Sequence, residues 1–365
     1  MNKGSKIYVA GHRGLVGSAI VGCLERDGFN NIVTRTHAEL DLTRQDQVEA
    51  FFVQARPEYV FLSAAKVGGI MANSTYPAEF IYQNLIIAAN VIHSSYKTGV
   101  KKLLNLGSSC IYPKLAFQPL KEEYLLTGEL EPTNEAYALA KISAIKLCRY
   151  YNQQYGTNFI SVMPTNLYGP GDNFNLETSH VLPALIRKMH LGKCLQMGDL
   201  DALRADLDRR PIEGIDGSVP EKQILSILNK YGISVEHNDE RSDLHSVMNS
   251  TSSVVVSLWG TGSPFREFLH ANDLADACVY LMQKYNANEL GEFVNIGTGV
   301  DLMIKELAAM VVDVVGYKGK VSWDQTKPDG TPQKLLDLTK LQSVGWKSSI
   351  SLKDGLENSY KSYVN

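Results

Sequence analysis

Apolar residues along this chain alternate between two rhythms. Compact runs at Lys6-Ile7-Tyr8-Val9-Ala10, Tyr59-Val60-Phe61-Leu62-Ser63, Lys102-Leu103-Leu104-Asn105-Leu106 and Phe159-Ile160-Ser161-Val162-Met163 read as buried strands. Between them, the stretches from Phe80 to Tyr96 and from Ala136 to Tyr151 carry apolar positions at helical spacing. Strands alternating with helices predict an α/β fold with a doubly wound parallel sheet. The turn cluster Gly169-Pro170-Gly171-Asp172-Asn173 breaks the rhythm, and Glu292-Phe293-Val294-Asn295-Ile296 restores it. The expected organisation is a sheet domain over 1–166 with a return segment at about 267–300, interleaved with a smaller domain over 167–266 and 301–365.

One stretch departs from both rhythms. From about 192 to 253 the chain is polar, with two short amphipathic helices expected near Leu200 to Asp208 and Glu221 to Tyr231. The segment Glu236-His237-Asn238-Asp239-Glu240-Arg241-Ser242-Asp243 after them reads as a solvated loop. The expectation is a surface insertion, with a lid or oligomer contact as the alternative.

The first strand runs straight into Gly11-His12-Arg13-Gly14-Leu15-Val16-Gly17 and then the helical run Ala19-Ile20-Val21-Gly22-Cys23-Leu24. Strand, glycines, helix is the order that sets a dinucleotide pyrophosphate on a helix N-terminus, as in a Rossmann sheet. The next strand, Asn31-Ile32-Val33-Thr34-Arg35-Thr36-His37, ends in cations where an NAD site would place Asp or Glu. Arg35 and His37, with Arg13 from the glycine turn, therefore indicate NADPH, a 2′-phosphate replacing a ribose hydroxyl. Asp41 and Leu42 fall where an adenine edge would sit.

Tyr137-Ala138-Leu139-Ala140-Lys141 supplies the chemistry. Residues i and i+4 share a helix face, so Tyr137 and Lys141 stand side by side, and the ammonium is expected to lower the phenol's pKa. With Ser108 as a second donor, the set suits protonation of a carbonyl oxygen while a nicotinamide delivers hydride. Cys110 follows Ser108 closely enough to share its crevice, as a proton base beside a ketone or as an inert buried thiol. His180 could face the substrate from the other side, but from the residues alone a structural histidine, like an inert Cys110 thiol, is the favoured reading.

Composition narrows the setting. At 365 residues with a formal charge of -3, the chain has enough length for a large core and no basic excess for nucleic acid. It has no long apolar run for a membrane span and no basic-then-apolar leader. Its five cysteines, Cys23, Cys110, Cys148, Cys194 and Cys278, are scattered, with no metal-ligand spacing, and fit reduced thiols in a cytoplasm.

The chain resembles the extended short-chain dehydrogenase/reductase family, and most closely its GDP-L-fucose synthase branch. The resemblance is carried by the segment from Gly11, Ala65-Lys66-Val67-Gly68-Gly69-Ile70, Gly107 to Lys114, and Glu131-Pro132-Thr133-Asn134-Glu135. Pro164-Thr165-Asn166-Leu167-Tyr168-Gly169-Pro170 and Lys327-Pro328-Asp329-Gly330-Thr331-Pro332 complete it. It implies NADPH-dependent 3,5-epimerisation and 4-reduction of a GDP-4-keto-6-deoxy sugar in a homodimer. Ser108, Tyr137 and Lys141 would serve reduction, and Cys110 and His180 epimerisation. Cofactor contacts would come from Gly11, Arg13, Gly14, Leu15, Val16, Gly17, Arg35, His37, Asp41, Leu42, Leu106, Gly107, Lys141, Pro164, Asn166, Leu167 and His180. The smaller domain would bind substrate through Lys188, Trp259, Arg266 and Asp329. His37 and Lys188 stand where the family more often has Arg. Three alternatives remain: a sister epimerase-reductase on another GDP-4-keto sugar (colitose or heptose type), a nucleotide-sugar 4-epimerase holding NAD, and a non-catalytic dinucleotide-binding protein.

Overall fold

The computed structural model describes residues 1–236, 253–327 and 329–365. The solvated loop expected after Glu236 and the residue Pro328 lie outside the described residues. Two compact units are present. The first comprises Met1–Gly171, Glu267–Asp301 and Lys334–Gly355, and the second Asp172–Arg266, Leu302–Gln333 and Leu356–Asn365. Residues 334–355, which the sequence reading gave to the smaller domain, cluster with the first unit. The reason is packing: Leu336, Leu338, Leu341, Val344 and Trp346 are buried in that unit's core.

The first unit is built on a six-stranded sheet. Across it the strands run Val294–Ile296, Phe159–Pro164, Lys102–Leu106, Tyr59–Leu62, Ile7–Ala10 and Ile32–Val33, every pair parallel. Alternate side chains feed opposite faces, which is why the strand runs are apolar throughout. Ile7 and Val9 join a core with Ile20 and Leu24 of the helix Leu15–Arg26 and Leu274 and Leu281 of the helix Ala271–Lys284. Tyr8 and Ala10 join the other core, with Phe51 and Phe52 of Gln45–Ala55 and Val91 and Ile92 of Pro77–Lys97. The sheet is thus doubly wound, as the sequence rhythm predicts. The second strand is shorter than predicted, ending at Val33, so Thr34 to His37 leave the ladder. Lys102, itself buried, donates to the carbonyls of Leu281, Met282 and Tyr285, satisfying the end of the helix Ala271–Lys284.

In the second unit, Ile233–Glu236 pairs antiparallel with Ser253–Trp259, which pairs in parallel with Lys320–Asp324. The helices Val181–Met197 and Ile304–Val315 pack on each other. Here the expectation of a surface insertion from 192 needs correction. Residues 192 to 197 are the end of a helix with Gly192, Cys194 and Leu195 buried, and a Cβ on Gly192 would come within 2.9 Å of Val256. Helices Leu200–Arg209 and Glu221–Lys230 form as expected, but they bury Leu203, Asp206 and Leu207, and Ile224, Ile227 and Leu228. An apolar helix stripe needs a surface to cover, and a mainly polar composition concealed it. Among the described residues, no helix is long and apolar enough to cross a membrane.

Candidate active site

The candidate residues Ser108, Tyr137 and Lys141 come together at the carboxyl end of the strand Lys102–Leu106. Gly107 follows it under the side chain of Met163, and Met163 Sδ accepts the Ser108 N–H at 3.0 Å. Ser108 caps a single turn over Ser109–Ile111, its Oγ accepting the Cys110 N–H at 3.4 Å. The helix Glu135–Tyr155 presents Tyr137 and Lys141 to this turn, with Lys141 Nζ 5.7 Å from the centre of the Tyr137 ring. Lys141 is buried and donates to the Leu106 carbonyl at 2.7 Å. Phe80 lies edge-on to Tyr137 at 6.3 Å.

The electrostatics differ from the expectation for Tyr137. Burial pushes its phenol above the ordinary value and the nearby Cys110 thiol adds to that, against the Ser108 hydrogen bond. The lysine does not lower it, because Nζ is turned to the Leu106 carbonyl and is itself pushed down to about 8 by burial. Cys110 is likewise raised by burial, opposed in order by Lys334, a hydrogen bond to Ser108, and Lys141. Ser108 thus favours the charged forms of both Tyr137 and Cys110, against burial. Lys334 escaped the sequence reading, its one signal being its place just beyond the Lys327-to-Pro332 motif.

The glycine turn is a cradle that side chains would fill. Gly11 has φ +83°, and a Cβ on it would meet the Ala64 backbone at 2.7 Å; one on Gly17 would collide with the Gly11 carbonyl. A Cβ on Gly14 meets only the Gly11 oxygen, at 3.5 Å. Gly14 opens the helix Leu15–Arg26 with no side-chain cap and no acid in its first turn, while Leu15 and Val16 are half-buried. Open donors with no competing carboxylate fit a dinucleotide pyrophosphate. Arg13 and Arg35 are exposed, and both help to hold the Glu39 carboxyl below its usual range, after its larger hydrogen bonds to Thr36. Two exposed guanidinium groups thus lie within electrostatic reach of one carboxylate, a cationic surround that suits a 2′-phosphate. Arg35 also donates to Thr34 O at 2.7 Å and lies 5.4 Å from the Phe51 ring. His37 points its ring toward Asp41 at 3.8 Å, and Asp41 accepts from Thr43 N and Oγ1. The Leu42 carbonyl is taken by Asn90 at 2.9 Å. Pro164 ends its strand, and Asn166 Nδ2 donates to Glu267 O at 2.8 Å, fixing the segment that leads into Leu167.

Three of the four candidate substrate residues gather at the end of the strand Ser253–Trp259 in the second unit, and the fourth bonds that strand. Trp259 is 54% exposed, with Lys327 Nζ 5.6 Å above its ring. Asp329 accepts from Thr261 N at 2.9 Å and from Thr261 Oγ1 at 2.7 Å, clamping the turn after Trp259. Arg266 is pulled down by burial and held up by Asp329, so those two are neighbours. Lys188 Nζ donates to Ser257 O at 3.4 Å, and burial lowers it to about 8. His180 is exposed, at the N-cap of the helix Val181–Met197. Lys327 and Thr261 are additions that the sequence reading did not single out.

A parallel sheet with a glycine cradle after one strand and a Ser-Tyr-Lys set at the carboxyl end of another defines a dinucleotide-dependent enzyme fold. The chain belongs to the NAD dependent epimerase/dehydratase family, which it matches over residues 7–207 and 223–297. It is 53% identical over 363 residues to GDP-L-fucose synthase 1 of Arabidopsis thaliana, covering 100% of this chain and 94% of that protein. Against the GDP-L-fucose synthase of Escherichia coli (strain K12) it is 45% identical, covering 98% and 96%. Among solved structures, a GDP-D-glycero-L-gluco-heptose synthase from Campylobacter jejuni, determined in the presence of NADPH, superposes with a TM-score of 0.87 at 41% identity, covering 100% of both chains.

Proposed function

We propose that this chain is an NADPH-dependent epimerase-reductase that converts GDP-4-keto-6-deoxy-D-mannose to GDP-L-fucose. The carrying observation is that Ser108, Cys110, Tyr137 and Lys141 gather at the carboxyl end of one sheet strand, with Ser108 Oγ on the Cys110 N–H and Lys141 on the Leu106 carbonyl. A reductase alone needs Ser108, Tyr137 and Lys141; a thiol on the same turn adds a base for the carbon next to the carbonyl. Identity to the fucose synthases over the full chain favours this sugar.

In the proposed reaction, Ser108 and Tyr137 hydrogen-bond the carbon 4 oxygen, so that negative charge formed on losing a proton from carbon 3 or 5 collects where donors wait. Cys110 removes that proton, helped by the cations of Lys334 and Lys141, and His180 returns one to the opposite face. NADPH, when bound across the Gly11–Gly17 turn with Arg13 and Arg35 at its 2′-phosphate, supplies hydride to carbon 4. Tyr137 then gives its proton to the oxygen. Trp259 offers a stacking face for guanine, and Arg266 and Lys188 offer cations for the diphosphate, within a substrate-binding region at 167–266 and 301–365.

The likeness to a heptose enzyme supports one second reading, a sister epimerase-reductase on a GDP-heptose. The test is NADPH oxidation with GDP-4-keto-6-deoxy-D-mannose, with product stereochemistry read by NMR. Turnover to GDP-L-fucose is expected; turnover of a GDP-4-keto-heptose alone would replace the sugar and keep the chemistry. A homodimer in the cytoplasm completes the proposal, checked by light scattering and cell fractionation.

A further inference from the structure

Within the second unit one arginine is entirely enclosed. Arg187 has no exposed surface, and Asp206 is 5% exposed. Arg187 Nε and Nη2 bond Asp206 Oδ1 at 3.0 and 2.9 Å, Nη1 donates to the Phe174 carbonyl at 3.2 Å, and Nη2 also reaches the Arg210 carbonyl. The remaining carboxylate oxygen of Asp206 takes Arg210 Nη1 at 3.4 Å and the Tyr363 hydroxyl. Phe174 is gripped a second time through its ring, 4.6 Å from that of Tyr363.

The path of the chain gives this grip a purpose. From Phe174 it turns through a segment braced by Asn173 Nδ2 on Thr178 Oγ1 at 2.9 Å and by Ser179 N on Asn175 O at 2.8 Å. It then reaches His180 and enters the helix, and two turns later Arg187 bonds back to Phe174. The loop that ends in His180 is thus a ring closed by one guanidinium. Asp206 supplies the counter-charge from the stretch that sequence reads as a surface insertion, and Tyr363 holds that carboxylate from the C-terminal helix Leu352–Val364. The guanidinium spreads its donors over three nitrogens and so spans the Asp206 carboxylate and the Phe174 and Arg210 carbonyls at once, whereas an ammonium must gather its acceptors around one atom.

We infer that Arg187, set by Asp206 and Tyr363, is the positioning residue for His180 in epimerisation. The inference rests on the reading of His180 as the group that returns the proton. Loss of that placement has a particular signature: Cys110 still withdraws and returns protons on its own face, so deuterium enters the substrate, but inversion fails. General damage lowers entry and inversion together.

The test is Arg187→Lys, which keeps a cation beside Asp206 but cannot also reach Phe174. The full-length protein is given GDP-4-keto-6-deoxy-D-mannose and NADP+ in deuterated water, with His180→Ala in parallel. In both variants the ratio of inverted to deuterated sugar is expected to fall about tenfold or more, the scale of a small misplacement of a catalytic group. In Arg187→Lys, deuterium entry should stay within about twofold of wild type. An unchanged ratio in Arg187→Lys, or equal losses of entry and inversion, overturns the inference. Should Arg187→Lys fail to fold, Tyr363→Phe removes only the hydroxyl on Asp206 and should lower the same ratio; no change there also overturns it. A wild-type protein that puts no deuterium into this sugar overturns the functional reading, and this inference with it.

Discussion

Lys141 and Tyr137 are neighbours on one helix face, yet burial governs both, lifting the phenol and lowering the ammonium to about 8. Tyr137 and Cys110 both lie beside Ser108 but on different elements, which makes the two proposed proton carriers separable by substitution. Tyr137→Phe is expected to cut reduction by about 10²-fold or more, the usual worth of a positioned acid, while deuterium still enters at carbons 3 and 5. Cys110→Ala should do the reverse to exchange, because a methyl group takes no proton. Exchange at the wild-type rate in Cys110→Ala would return the thiol to a packing role. Arg13 and Arg35 both act electrostatically on Glu39. Arg35→Ala should weaken NADPH about tenfold and NADH little, since the lost charge-assisted bond is to the extra phosphate. Titrations showing equal losses for both cofactors would remove that assignment. Residues like these were legible because each lies inside a short motif: the glycine turn, Ser108 to Cys110, and the Tyr137/Lys141 pair.

Strands and helices were legible for a different reason, since a parallel sheet covered on both sides leaves unbroken apolar runs that period alone reveals. Ile32–Val33 came out shorter than its run because Thr34 to His37 turn toward the surface. The buried faces at 200–230 were missed: three buried positions per helix, one of them Asp206, among many charges give a weak stripe. Asp206 shows the limit most clearly, since its partners Arg187 and Tyr363 lie far away in sequence and nothing local marks it as buried. Asp206→Ala would leave the Arg187 charge enclosed without its counter-ion, and removing one partner of a buried pair costs about 3–5 kcal/mol. Denaturant midpoints should show that loss, and a change within error would mean that water reaches Arg187. The helix Leu200–Arg209 is thus a supporting wall, which a sequence period cannot report.

The whole molecule is threaded so that the chain passes between its two units at Gly171/Asp172, Arg266/Glu267, Asp301/Leu302, Gln333/Lys334 and Gly355/Leu356. Each unit is therefore completed by segments that the other interrupts. Its order of synthesis follows. The strand Phe159–Pro164 is paired on one side by Lys102–Leu106, but its other neighbour, Val294–Ile296, is translated only after most of the second unit. Until then a nascent chain carries an open, apolar sheet edge, the kind of surface that recruits unrelated strands. The helix Ala271–Lys284, whose leucines pack with Ile7 and Val9, is equally late, so one face of the early sheet is also uncovered. Chaperone binding during translation should accordingly persist past the end of the glycine-turn half and fall away once residue 296 has emerged.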